Sequence, residues 1–142
     1  VRTADCLPVF IWDPVNEAMG VVHAGWKSTQ KEIVLRTYEV MADKYKSDYK
    51  NLSIAFGPSI RSCCYEVSSE FKSHFPGAVT KRDGQFFMDL IKANRDQLIS
   101  LGIERNQIFD SRVCTVCTPG YFSYRRDGAK AGRMISGLLL NG

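Results

Sequence analysis

Cys6 and His23 are the pair in this chain whose types and placement could do chemistry together. They sit on two apolar runs separated by Asp13-Pro14-Val15-Asn16, which reads as two strands joined by a short turn. A turn centred between Pro14 and Val15 puts Cys6 opposite His23 and Trp12 opposite Glu17. Facing residues of an antiparallel pair have Cβ atoms about 4.5 to 5.5 Å apart, close enough for a thiolate and an imidazole to share a metal ion or a proton. The same residues also fit a plainer role, because cysteine is among the most buried residue types and a lone histidine on an apolar strand is commonly a hydrogen-bonded core residue. A one-residue slip in register would turn the two to opposite faces.

A second group lies near the end, in Tyr121-Phe122-Ser123-Tyr124-Arg125-Arg126-Asp127-Gly128 with Arg133 shortly after. Aromatic rings beside paired guanidinium groups can stack a flat base while gripping an anion. An Arg-Arg-Asp-Gly stretch is equally an ordinary solvated turn. Lys27, just after the His23 strand, is another possible phosphate contact. Cys114 and Cys117 form a lone CxxC, and tetrahedral closure of a structural zinc needs two further ligands. Cys63 and Cys64 fall in a loop rich in polar groups directly after a strand end, where they read either as part of a site or as two buried thiols. His74 has no partner at metal-ligand spacing and reads as a surface residue.

The elements that must position these groups follow from local pattern. Thr29 and Glu32 have capping-box spacing, so a helix is expected from about Thr29, with Val34, Tyr38, Met41 and Tyr45 as its apolar stripe. Leu52, Ile54 and Phe56 alternate as a strand ending at Gly57-Pro58-Ser59. A short helix is expected from Ser68 or Ser69 to before Pro76, then a hairpin turn at Asp83-Gly84, then a helix from the Asp89 cap to the Gly102 stop. Strands are expected at 108–109, 113–114, 121–124, 134–135 and 138–140. The order is irregular and hairpins recur, which favours an α+β fold with mixed β-sheets and flanking helices. No GxGxxG follows a strand, which argues against a Rossmann fold.

The 142 residues are the size of one domain, with 44% hydrophobic and 24% charged residues, the balance of an ordinary soluble protein. A net charge of +4 permits a small anionic substrate but is too diffuse for a nucleic-acid surface. No apolar run is long enough to span a bilayer, and no signal pattern opens the chain. An odd number of scattered cysteines reads as reduced thiols, so a cytoplasmic location is expected. The chain opens on Val1 and reaches a strand by Leu7, as if its beginning were missing.

Four motifs in order, Thr3-Ala4-Asp5-Cys6-Leu7-Pro8-Val9, His23-Ala24-Gly25-Trp26-Lys27, Gly57-Pro58-Ser59-Ile60 with Cys64-Tyr65-Glu66-Val67, and Phe122-Ser123-Tyr124-Arg125-Arg126-Asp127 ending in Gly132-Arg133-Met134, resemble the YfiH-type, laccase-domain family. The family is described both as polyphenol oxidase (laccase) and as a zinc-dependent purine nucleoside phosphorylase with adenosine deaminase activity. The resemblance implies a layered α/β/β/α architecture and a catalytic zinc held by one cysteine and two histidines. Cys6 and His23 fall on two of those ligands. The other histidine belongs to an upstream QVHG-like motif that this sequence does not contain, so residues 1–142 are expected to be the C-terminal portion of a longer domain, completed by a missing segment or a second chain. Ser28 stands where the family usually has glycine.

The resulting expectation is a zinc enzyme acting on purine nucleosides and phosphate. Cys6 and His23 hold the metal, while Arg125, Arg126 or Arg133 holds phosphate and Tyr124 stacks the base. Three rivals use the same residues differently: a metal-independent Cys6–His23 hydrolase or transferase, a copper-dependent phenol oxidase, and a non-enzymatic zinc module built on Cys114, Cys117 and Cys63 or Cys64. Nucleic-acid binding through Arg125 to Arg133 is a further alternative.

Overall fold

The hairpin that carries Cys6 and His23 forms the centre of the fold in a computed structural model that describes residues 1–140. Strand β1 (Arg2–Thr3) leads into β2 (Leu7–Asp13) and β3 (Ala18–Ala24), which pair antiparallel. Leu7, Val9 and Ile11 alternate inward and are fully buried, each worth about 2 kcal/mol of apolar burial.

The turn differs from the expected one. Asp13 pairs with Ala18, and the Asp13 carboxylate accepts hydrogen bonds from the amides of Val15 (3.0 Å) and Asn16 (3.2 Å) and from the Asn16 side chain (2.9 Å). Glu17 adopts φ 49° to close the loop. These bonds move the turn toward Asn16, so Pro8, and not Cys6, faces His23. The shift equals two residues of pairing; Cys6 lies just before the first paired residue, Leu7, and still shares a surface depression with His23.

After the hairpin come α1 (Trp26–Gln30) and α2 (Ile33–Tyr45). The expected Thr29–Glu32 capping box does not form. The helix starts earlier because the Ser28 hydroxyl accepts the Gly25 amide at 2.9 Å, and Thr29 is buried inside α1 with its hydroxyl bonded by Asn94 at 3.0 Å. Glu32, at φ 57°, breaks the chain into a second helix.

Strand β4 (Ser53–Phe56) precedes β5 (Glu66–Val67), the short α3 (Phe71–His74), and the hairpin of β6 (Val79–Arg82) with β7 (Gln85–Met88). Asp83 at φ 48° and Gly84 at φ 82° make the tight two-residue turn that an Asp-Gly pair favours. Helix α4 (Leu90–Leu101) is capped by the Asp89 carboxylate, which accepts the Lys92 amide at 2.8 Å, and stops at Gly102, φ 108°.

Strand β8 (Ile108–Asp110) pairs parallel to β4, completing a four-stranded mixed sheet in the order β3-β2-β4-β8. β5, β7 and β6 form a second, antiparallel sheet. Helix α5 (Tyr124–Asp127) and β9 (Met134–Ile135), the latter pairing with β1, end the described chain. The α+β class with mixed sheets and flanking helices is therefore the one observed.

Three expected strands, at 113–114, 121–124 and 138–140, are absent among the described residues. Tyr121 to Tyr124 turns instead into α5, because the Ser123 hydroxyl accepts the Arg126 amide at 3.1 Å and caps a helix there. Leu138 to Leu140 is irregular and exposed. Cys114 makes only a single parallel bridge, with Ser59. No described helix is long and apolar enough to cross a membrane.

Candidate active site

Cys6 sits between β1 and β2, half-buried, at the meeting of two surface depressions. One, of about 300 Å³, is lined by Cys6, His23, Gly25, Trp26, Lys27 and Ser28. The other, of about 160 Å³, is lined by Asp5, Cys6, Ile60, Tyr65, Tyr124 and Arg125 among others. The thiol thus has the imidazole and Lys27 on one side, and an arginine and two tyrosines on the other.

Local structure explains the approach. A Cβ built on Gly25 would lie 3.0 Å from Cys6 Sγ, so the absence of a side chain is what gives the sulfur its room. Ser28 Oγ also lies 3.0 Å from the His23 carbonyl oxygen, fixing the backbone that carries the imidazole. The serine that departs from the usual family glycine is therefore built into the wall of the site.

Asp5, which sequence reasoning did not single out, organises the other side. Its buried carboxylate accepts the Thr115 hydroxyl at 2.6 Å and the Arg125 amide at 2.8 Å, joining three distant segments. Its position beside Cys6 was the available signal: a charged residue one step before a potential ligand on an apolar strand. Burial, and then the Asp5 charge, push the Cys6 thiol above its usual range. Burial likewise raises Tyr65 to about 12, with Cys6 and Asp5 adding to the rise and Arg125 opposing it.

The expected arginines take different tasks. Arg125 gives one Nη1 bond to the Glu66 carbonyl at 3.0 Å, and its guanidinium lies 5.4 Å from the Tyr65 ring, which leaves further N–H groups for an anion. Arg126 gives all of its side-chain donors to the protein: Nη1 to the carbonyls of Thr115 and Val116, Nη2 to the Tyr121 carbonyl and Asp127, and Nε to Asp127. It holds the loop together and has nothing left for phosphate. Arg133 bonds the Ala131 and Gly132 carbonyls and lies 5.9 Å from the Tyr124 ring, at the edge of the site. His74 is engaged by Gln30 at 2.9 Å and takes no part.

Zinc chemistry suits a soft thiolate beside an imidazole, and Cys6 with His23 supplies two of the three protein ligands that a catalytic zinc ordinarily uses. A separate donor group exists. Cys63, Cys64, Cys114 and Cys117 bring their sulfurs within 4.8 Å of one another, with Cys64 to Cys117 at 3.2 Å and Cys63 to Cys117 at 3.7 Å. The lone CxxC is thus joined by both cysteines of the earlier loop. Burial and the neighbouring thiols raise Cys64 strongly and Cys63 to about 11. Burial would also raise Cys114, yet hydrogen bonds from the amides of Cys117, Arg61 and Val116 and from the Cys63 thiol bring it down to about 7.

An α+β chain with this thiol–imidazole hairpin matches one family throughout. The family described as multi-copper polyphenol oxidoreductase laccase matches residues 1–141, and the chain belongs to it. A purine nucleoside phosphorylase of Aquifex aeolicus is 36% identical over 99% of this chain and 65% of its own length. A Clostridium acetobutylicum protein of the same name is 37% identical over 98% of this chain and 61% of its own length. The crystal structure of a Bacillus licheniformis hypothetical protein, YfiH, superposes with a TM-score of 0.86 at 33% identity, covering 93% of this chain and 53% of that one. The chain therefore spans between about half and two thirds of these relatives.

Proposed function

We propose that the intact protein is a zinc-dependent purine nucleoside phosphorylase, and that this chain supplies much of its active site. The observation that carries the reading is the position of Cys6, shared by a depression holding His23 and Lys27 and one holding Arg125, Tyr65 and Tyr124. The names of the relatives support the same class.

In phosphorolysis a phosphate oxygen bonds to the ribose anomeric carbon as the glycosidic bond breaks, and that bond's electron pair leaves on the purine. Arg125 and Lys27 hold the phosphate, Arg125 being fixed in direction by Asp5 and Glu66. Tyr124, exposed beside Arg125, offers a face on which the base stacks. Zinc held by Cys6, His23 and a third donor from outside this chain would supply Lewis-acid polarisation at the reacting centre. The adenosine deaminase activity implied by the family would use the same cleft, and the free thiols fit a cytoplasmic setting.

The metal-free Cys6–His23 dyad is less well supported, because Pro8 rather than Cys6 faces His23 and the thiol is buried beside a carboxylate. Copper oxidase chemistry calls for clustered histidines, and this chain has two, His23 and His74, of which His74 is tied to Gln30. Intact protein incubated with inosine or adenosine, inorganic phosphate and zinc should release free base and ribose 1-phosphate. Failure to form either product would end the phosphorylase reading, and activity that survives a chelator would restore the metal-free dyad.

A further inference from the structure

We infer that Cys63, Cys64, Cys114 and Cys117 form a second, structural zinc site, distinct from Cys6 and His23, that clamps the turn after β4 to the turn before α5. A tetrahedral zinc with bonds of about 2.3 Å sets its sulfurs about 3.8 Å apart. Here the four sulfurs all fall within 4.8 Å, with two of the separations at 3.2 and 3.7 Å, so a single ion fits with small rotations of the side chains.

The backbone is arranged for such an ion. Cys114 and Cys117 lie on one tight turn, closed by the Thr118 amide donating to the Cys114 carbonyl at 3.0 Å, and the facing turn is closed by the Cys64 amide donating to the Arg61 carbonyl at 2.9 Å. The Ser59–Cys114 bridge holds the two segments side by side. Cys63 and Cys117 are exposed, giving the ion a way in, while Cys114 is buried at the base.

Binding zinc to four thiols forms four Zn–S bonds and releases up to four protons, leaving a net charge of −2. Three arginines brace the two turns: Arg61 bonds the Val113 carbonyl, Arg82 the Ser62 carbonyl, and Arg126 the carbonyls of Thr115 and Val116, with Arg61 and Arg126 themselves paired with Asp110 and Asp127. The clamp also reaches the candidate active site, because Thr115, between the two cysteines of the CxxC, holds Asp5 beside Cys6.

The test uses the chain carrying Cys6→Ser and His23→Ala, which removes the other thiol–imidazole pair, under reducing conditions with Co2+ as the probe. The expected result is one equivalent of cobalt with the visible bands of a tetrahedral ion, a thiolate-to-cobalt charge-transfer band, and displacement by zinc. Adding Cys117→Ser should cut the charge-transfer intensity by about a quarter and weaken binding more than tenfold. An absent or octahedral cobalt spectrum overturns the site. The unsubstituted chain gives an independent reading: zinc should protect these four cysteines from alkylation. Alkylation at the free-thiol rate, or a Cys64–Cys117 disulfide in their place, overturns it equally. None of these readouts depends on nucleoside chemistry, so the phosphorylase reading can fail while this one stands.

Discussion

The Cys6–His23 face and the four-cysteine cluster place the same functional group, a thiol, in opposite circumstances. Around Cys6 the donors are few and unlike, the sulfur opens on two depressions, and a glycine keeps space beside it. Around Cys114 the donors are four and alike, and arginines bond the backbone carbonyls on either side of it. An ion that must meet a substrate needs a vacant coordination position, whereas an ion that holds two loops together needs none. The contrast teaches that the neighbours of a thiol, rather than the residue type, decide which of the two proposed roles it fits.

The sharpest way to break the comparison is to remove one donor from each region of the intact protein. His23→Ala should lower phosphorolysis by about a hundredfold or more, in line with losing a ligand of a catalytic metal, while the cysteine cluster keeps its ion. Equal loss of metal from both regions would show that they are not independent. Next come the two adjacent arginines. Arg125→Ala should raise the KM for phosphate about tenfold and lower the unfolding midpoint less than Arg126→Ala does, because besides the anion contact it removes one hydrogen bond, to the Glu66 carbonyl, and the contact with the Tyr65 ring. Arg126→Ala should lower the midpoint and leave that KM alone, since its donors all serve carbonyls and Asp127. The reverse pattern would exchange their roles.

Smaller effects sharpen the picture. Gly25→Ala places a methyl 3.0 Å from Cys6 Sγ and should reduce activity several-fold without altering metal in the cluster. Asp110 supplies no ligand to either metal region but holds Arg61, which braces the cysteine cluster through the Val113 carbonyl. Burial would raise its carboxyl, but hydrogen bonds from Arg61 and the Arg112 amide, with the charges of Arg61 and Arg95, hold it below the usual range. A depressed acid stabilises the fold above its unfolded value, and that contribution is lost as pH falls through the folded value. Asp110→Asn should therefore cost about 2 kcal/mol near neutrality. Acid unfolding curves of the two proteins should draw together as pH falls below the ordinary carboxylate range and meet only beneath the still lower folded value, and a gap that persists at the acid extreme would assign the loss to packing instead.

Much of the frame was legible because its causes are local. Asp83-Gly84 specifies a tight turn, Asp89 and Gly102 bound α4, and the apolar runs specify the hairpin, although its register sets Pro8 rather than Cys6 opposite His23. The errors arose where two local signals competed: the Thr29–Glu32 spacing lost to the Ser28 bond on Gly25, and Ser123 made a helix of an aromatic stretch that read as a strand. The cysteine cluster is legible only in part: Cys114 and Cys117 with Cys63 or Cys64 stand in the sequence as one alternative, but no local signal shows that all four sulfurs converge, and Arg126 reads as an anion contact until its five N–H groups are followed to their acceptors.

Asp5 carries one last consequence, in the order of folding. Its bonds to Thr115 and Arg125 close loops of 110 and 120 residues, whereas the hairpin beside it pairs near neighbours. Short loops close early and long ones late, so the strands carrying Cys6 and His23 form before the arginine side of the cleft arrives. During refolding, the amides of β2 and β3 should gain protection from hydrogen exchange before that of Arg125. The cleft is thus a late event in the life of each molecule, completed only when segments more than a hundred residues apart have found each other.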